Sequence, residues 1–324
     1  MKAAMVEEWG RVPIYTEFAD PSTSAGAVVA DVEASALTNL SRGLVSGKQY
    51  ASKEIAPPVI PGFDGIARLE DGRRVYTGAL APYGMMAERT LISAHGAVEI
   101  PDNVDSVSAA AVPNPGMSAW ISLEHAAAIR PGDHVLVLGA TGVTGSTAAQ
   151  LARSMFGAGR VVVAGRDTSR LDWLRTVGAD DAIALGSQDL AERVSALHAD
   201  RPFDVVLDYL WGEPAQQVLT AMASAHSAAH YHATKFIQIG EMAGPTMNLA
   251  AGILRGNAIT LIGVGLGSMP PEVMIWARTQ ALPRLFAMVA AGELQLRTLA
   301  RPLSEVEQAW TAAEPSGTRV VLTP

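Results

Sequence analysis

The run His134-Val135-Leu136-Val137-Leu138 passes without a break into Gly139-Ala140-Thr141-Gly142-Val143-Thr144-Gly145, and a helical pattern begins at Val143. An apolar strand with no polar alternation must be covered on both faces, which places it inside a parallel sheet. The helix after it must then cross back over that sheet. Within the turn, Gly142 lets a bound group come close to the backbone, and Gly145 lets the helix pack tightly on the strand. The helix end offers unpaired N–H groups and the positive end of its dipole to an anion. The spacing Ala140-x-Gly142-x-x-Gly145 is a variant of the dinucleotide fingerprint, with Ala140 in place of the first glycine. A methyl group is tolerated there while φ stays negative. Thr141, Gly142, Val143, Thr144 and Gly145 are therefore the predicted cradle of a diphosphate; a tight turn without a ligand is the competing reading.

The rhythm around this turn extends the argument. From Pro113 onward, apolar strand candidates alternate with helices. The strands are His134–Leu138, Arg160–Ala164, Asp181–Ala184, Phe203–Leu207, Lys235–Ile239 and Ile259–Gly263. The helices are Ser118–Ala128, Val143–Met155, Ser169–Val177, Gln188–Leu197 and Pro214–Ala223. This pattern predicts an α/β fold with a doubly wound parallel sheet. Residues 1–112 instead read as short β segments cut by Gly and Pro, with candidates at Val28–Ala34, Arg73–Thr77 and Gly84–Ala94. After a helix within Leu282–Ala291, the strand-like Leu299–Pro302 and Thr318–Leu322 are expected to rejoin that first β domain. The predicted domains are 1–115 with 284–324, and an inserted 116–283.

Composition removes several functions. The net charge of −8 lacks the basic footprint of a nucleic-acid binder, so small molecules or copies of the chain are the expected partners. There is no cysteine, which excludes disulfides, thiolate catalysis and any Cys-built zinc site, and fits a cytoplasmic protein. Acidic residues at Glu7 and Glu8 interrupt the start before a signal peptide's apolar core can form. Apolar runs such as Leu249–Leu254 fall far short of the roughly 20 residues that span a bilayer, so no membrane partner is expected.

The second strand decides between nucleotides. An NAD site needs a carboxylate about 20 residues past the fingerprint, where it accepts from the ribose 2′-OH. That point is Ala164-Gly165-Arg166. Gly165 removes the acid, Arg166 supplies a guanidinium, and Arg170 lies one helical turn on. Two arginines suit a 2′-phosphate, so NADPH is the expected cofactor. The alternatives are that both arginines are solvated surface charges, or that Asp167 takes the ribose hydroxyls.

The turn at Gly139–Gly145, with Val177-Gly178-Ala179-Asp180 and Val205-Val206-Leu207-Asp208, resembles the medium-chain dehydrogenases/reductases. Pro61-Gly62-Phe63-Asp64-Gly65 and Gly84-Met85-Met86-Ala87-Glu88 are similar to that family's front-half motifs. The resemblance implies a GroES-like β domain plus a Rossmann domain. Zinc enzymes of the family carry a Cys in the first domain, a His where Phe63 stands here, and a four-Cys lobe. The chain therefore resembles the zinc-independent quinone-oxidoreductase branch, and no metal ligand is expected. The branch further implies cofactor contacts from Asp208, from Gln238-Ile239-Gly240 and from Gly263-Val264-Gly265. It often forms homodimers through the last strand, here Ile259–Gly263.

The same resemblance places Asn39 and Tyr50 near the nicotinamide, where each could donate to a developing oxyanion and Tyr50 could deliver a proton. The family's Asn-x-x-Asp reads Asn39-Leu40-Ser41-Arg42 here. A turn-former for Asn39 and a loop aromatic for Tyr50 are the plainer readings. Asp64 stands beside the lost zinc ligand and is a third catalytic candidate, or a fold-supporting acid. Asn114 lies at the domain junction, where it contacts nicotinamide or substrate, or shapes the hinge. Trp211 and Trp276 line an apolar pocket or fill the core. His226, His230 and His232 have a ligand-like spacing, but they precede a strand and no Asp or Glu accompanies them, so a solvated loop is expected rather than a metal site. The expected function is an NADPH-dependent reductase of a quinone, ketone or activated alkene. A zinc-free secondary-alcohol dehydrogenase and a non-catalytic NADPH-binding sensor are the alternatives.

Overall fold

All of His134–Leu138 is buried, as a strand covered on both faces must be. In the computed structural model, which describes residues 1–48, 52, 55–225 and 231–324, this strand lies inside a six-stranded sheet. The order is Asp181–Ala184, Arg160–Gly165, His134–Leu138, Val205–Asp208, Thr234–Gln238 and Ile259–Gly263, with every neighbour parallel. Counted within the sheet this is 3-2-1-4-5-6, the Rossmann order, which reverses between the first and fourth strands. Leu136, Leu138, Val162, Ala164 and Val206 form one core with Val194 and Leu197 of helix Leu190–Asp200 and Val218 and Leu219 of helix Gly212–Ala225.

The chain divides into two compact units, Met1–Asn114 with Arg278–Pro324, and Pro115–Ala277. The return to the first unit comes at Arg278 rather than after residue 283.

The first unit is built on a mixed sheet in which Ala27–Ala36 is central. That strand pairs antiparallel with Asp64–Arg68, with Arg89–Ser93 and with the C-terminal Thr318–Thr323. The last of these runs parallel to Arg297–Pro302. Its core joins Leu37, Ile60, Met86, Leu303, Val306, Val320 and Leu322.

Two elements differ from the sequence reading. The expected strand Gly84–Ala94 is a strand only over Arg89–Ser93. Its first part docks on Pro61-Gly62, with Met85 N–H donating to Gly62 O and Met86 N–H to Pro61 O, both at 3.0 Å. Gly62 has φ +101, and a Cβ there would lie 2.9 Å from the Met85 nitrogen. The two front-half motifs are thus one packed pair. The helix expected from Ser118 begins at Pro113 and becomes a π-helical turn over Ile121–Ala126. Pro113 and Pro115 do not break it, because first-turn N–H groups have no intrahelical acceptor to lose.

Candidate functional site

Gly139 takes the left-handed φ of +80 that turns the first strand into its loop. The N–H groups of Gly139 and Ala140 both donate to Ala164 O at 2.9 Å. Ala140 is fully buried and outside the positive-φ set, so its methyl group is accommodated. Gly142 caps helix Val143–Ser154 with extended backbone, no side-chain cap and no acid in the first turn. The next two helices of this unit are capped by Asp167 and Asp189. A Cβ at Gly145 would lie 2.7 Å from Ala140 Cα, so only glycine lets the helix seat on the turn. An uncapped helix end on a backbone-lined turn fits a diphosphate, and the N–H groups of Val143 to Gly145 are the donors that would hold one.

At the second strand, Gly165 is the final residue and is buried. Arg166 is exposed and has no hydrogen-bond or ion-pair partner among the described residues. Asp167 is committed to capping. Its Oδ1 accepts from Ser169 Oγ at 2.7 Å and from Arg170 N–H at 3.1 Å, and these donors hold its carboxyl below the usual range. Arg170 is not a solvated charge: it is 7% exposed and lies 4.0 Å from the Trp173 ring centroid.

The remaining strand ends share the carboxyl edge. Asp208 is fully buried, and its carboxylate accepts from Leu210 N–H at 2.8 Å and Trp211 N–H at 3.0 Å. Loss of hydration pushes its pKa up to about 6 against those two donors. The side chain thus faces its own turn. Gly240 is required by close approach, since a Cβ would lie 2.7 Å from Tyr209 O. The Val264 N–H donates to Gln238 O at 2.8 Å. Gly265 has open space around it, and its N–H donates to Ser268 Oγ at 2.8 Å. Trp211 packs on the sheet core and Trp276 on the buried Trp120, so core packing accounts for both.

In the first unit, Asn39 opens helix Asn39–Val45 and is exposed. The cap is its neighbour Thr38, whose Oγ1 accepts from Ser41 N–H at 3.1 Å. Arg42, at the family's acid position, pairs with Glu314 at 2.9 Å. Tyr50 lies outside the described residues. The Tyr76 hydroxyl donates to Asp64 Oδ2 at 2.6 Å. Burial raises the Asp64 carboxyl above its ordinary range, opposed by Tyr76 and by the positive Arg319 and Arg278. Sequence reasoning missed Arg319. It is buried and donates to Leu37 O at 3.0 Å and to Asn114 Oδ1 at 3.5 Å, so it holds one of the candidates. Its signal was a lone charge inside the apolar run Thr318–Leu322.

Three histidines, His134, His198 and His232, assemble at the opposite edge of the parallel sheet. The His134 and His198 rings lie 4.4 and 5.6 Å from the Phe203 ring. His232 Nε2 donates to Phe203 O at 3.1 Å, and Asp204 Oδ1 lies 3.3 Å away. An acid does accompany His232, supplied by the start of a different strand; His226 and His230 lie outside the described residues. Among the described residues no group of three or more His, Cys, Asp or Glu could hold a metal.

A family model described as zinc-binding dehydrogenase matches residues 143–277. The chain is 25% identical to a probable NADPH-dependent quinone reductase of Emericella nidulans, over 100% of both chains. The solved quinone oxidoreductase of Thermus thermophilus, described with its NADPH complex, superimposes with a TM-score of 0.80 at 26% identity, again over 100% of both. Together these matches support membership of the medium-chain dehydrogenase/reductase superfamily, in its quinone-oxidoreductase-like branch. A part of the chain also matches a far larger protein. Over 46% of its length it is 33% identical to a mycocerosic acid synthase-like polyketide synthase of Mycobacterium tuberculosis, of which it spans 7%.

Proposed function

We propose that the chain is an NADPH-dependent oxidoreductase that reduces a quinone, ketone or activated alkene without a metal ion. The observation that carries this reading is a pair of features at one edge of the parallel sheet. They are an uncapped, glycine-lined helix N-terminus and a strand that ends in Gly165-Arg166. The name of the Emericella relative and the NADPH complex of the Thermus enzyme support it.

The backbone of Thr141 to Gly145 holds the diphosphate, and Arg166 takes the 2′-phosphate by charge-assisted hydrogen bonds. Arg170, fixed on Trp173, adds positive charge. Asp208 shapes the turn after the fourth strand, and Gly240, Val264 and Gly265 would border the nicotinamide end; Asn114, held by Arg319, remains a proposed cofactor contact. Bound there, a reduced nicotinamide supplies a hydride to the electrophilic carbon of the acceptor. Asn39 and Tyr50 donate to the acceptor oxygen as charge builds on it, and the Tyr50 hydroxyl relays a proton from the medium. Asp64 holds Tyr76 and supports the strand rather than exchanging protons.

The metal-free assignment rests on donor chemistry: the sequence has no cysteine, and Phe63, 49% exposed, stands where the zinc enzymes carry His. The reading extends to a cytoplasmic homodimer. Ile259–Gly263 is the last strand in sheet order and leaves a row of backbone groups for a second copy. Among the described residues, no helix is long and apolar enough to cross a membrane.

The test mixes purified protein and NADPH with a quinone, an enone and a simple ketone in turn, following the near-ultraviolet absorbance of the reduced cofactor. Acceptor-dependent loss with at least one of the three is expected. No loss with any of them refutes the catalytic reading and leaves a nucleotide-binding protein.

A further inference from the structure

Gly165 is not a glycine for conformational reasons, because it is outside the positive-φ set. What it lacks is room. A Cβ at 165 would lie 2.7 Å from Thr141 Oγ1 and 3.0 Å from Thr141 Cβ, and closer still to Thr141 Cγ2. Both heavy substituents of Thr141 therefore occupy the space where a side chain at 165 must start. Rotation about χ1 does not clear it. Two of the three staggered positions face Gly165, and threonine has one hydrogen to place in them. Retreat of the backbone is also costly. Thr141 is 7% exposed. It sits between Ala140, whose N–H is tied to Ala164 O at 2.9 Å, and Gly142, tied to Gly139 O at 3.1 Å.

The end of the second strand is where an NAD site places its ribose-reading acid. We infer that Thr141 is a specificity-determining residue: by filling the space at Gly165 it bars an acid from that strand end and reserves the adenosine end for a 2′-phosphate. The inference rests on the NADPH reading above and deepens it. An aspartate at 165 alone must displace Thr141, and with it the turn that cradles the diphosphate. It therefore damages binding of both nucleotides instead of exchanging one for the other. Thr141→Ala removes both γ atoms, the two nearest to a Cβ at 165, and leaves Thr141 Cβ at 3.0 Å, a contact that a few tenths of an ångström relieve.

The test has two arms. In the first, without nucleotide, unfolding midpoints are compared for wild type, Gly165→Ala, Thr141→Ala and the double variant. Gly165→Ala is expected to lower the midpoint by about 5 °C, and by about 1 °C when Thr141→Ala is already present. Equal losses in both backgrounds overturn the inference. In the second, NADPH and NADH are titrated by protein fluorescence. Gly165→Asp is expected to bind both at least ~10-fold more weakly than wild type. Thr141→Ala/Gly165→Asp is expected to regain NADH at least ~10-fold over Gly165→Asp while NADPH stays weak. A Gly165→Asp protein that folds only beside Thr141→Ala supports the inference; one that binds NADH as tightly as the double variant overturns it. A wild type that takes up neither nucleotide sinks the NADPH reading and this role together. Additive midpoints in a chain that does bind NADPH sink the role alone.

Discussion

The Asp208 carboxylate accepts the backbone N–H of Trp211 at 3.0 Å and holds that residue at φ 55, a state that bulky side chains rarely adopt. The turn so fixed presses on the loop after the first strand. A Cβ at Gly139 would lie 3.1 Å from Leu210 Cδ2 and 3.3 Å from Tyr209 Cβ. Asp208 thus reaches the turn at Gly139 through packing, while its own charge is spent on a turn.

That charge gives a pH signature. Burial holds the folded-state pKa at about 6, above its ordinary 3.8. The folded state therefore binds the proton more tightly, and the stability contributed at low pH is lost as pH rises through about 6. Asp208→Asn keeps an acceptor for both N–H groups and removes the buried charge. The stability difference should move in the variant's favour by about 2–3 kcal/mol between about pH 4 and pH 7, read by denaturant unfolding. A difference independent of pH would contradict this account.

His134 carries the opposite sign. Its Nδ1–H donates to Arg201 O at 2.7 Å, and Nε2 is buried without a hydrogen-bond partner among the described residues. Burial holds its pKa below 6.5, with Arg160 and Arg201 adding repulsion. The unfolded state then takes up the proton first, so stability should fall as pH drops below about 6.5. His134→Leu should flatten that limb of the stability curve while lowering the plateau, because Arg201 O loses its donor. An unchanged acid limb in the variant would rule His134 out as its source.

Arg166 is the exposed member of the arginine pair. Arg166→Ala should weaken NADPH at least ~10-fold and leave NADH within about twofold. Arg170→Ala should instead lower stability, since its guanidinium packs on Trp173 from a buried position. Fluorescence titration and thermal unfolding separate the two. Equal loss of both nucleotides in Arg166→Ala would remove it from the 2′-phosphate site.

Exhaustive dialysis against a chelator should leave the reduction rate unchanged, measured with whichever acceptor proves active. Recovery of a lost rate on adding zinc would overturn the metal-free assignment.

The parallel sheet was legible because its central strands, His134–Leu138, Arg160–Gly165 and Val205–Asp208, are short apolar runs, and burial on both faces writes that pattern almost without interruption. The turn at Gly139–Gly145 was legible because two of its glycines answer to close approach at one point. Relationships between segments distant in sequence were not. Asp204 beside His232, Tyr76 on Asp64 and Arg42 on Glu314 depend on strand register or chain return, which leave no local signature. Gly165 was read as the lack of an acid; the crowding by Thr141 behind it required the folded turn. The early start of helix Pro113–Trp120 was hidden because proline breaks a helix interior but not its first turn.

The central claim is that the turn after the first strand holds a dinucleotide and the end of the second strand selects its phosphate. Calorimetric titration of the purified protein with NADPH and NADH side by side tests it most directly. Saturable uptake of NADPH, at least ~10-fold tighter than NADH, is the expected result; no heat of binding with either nucleotide contradicts it.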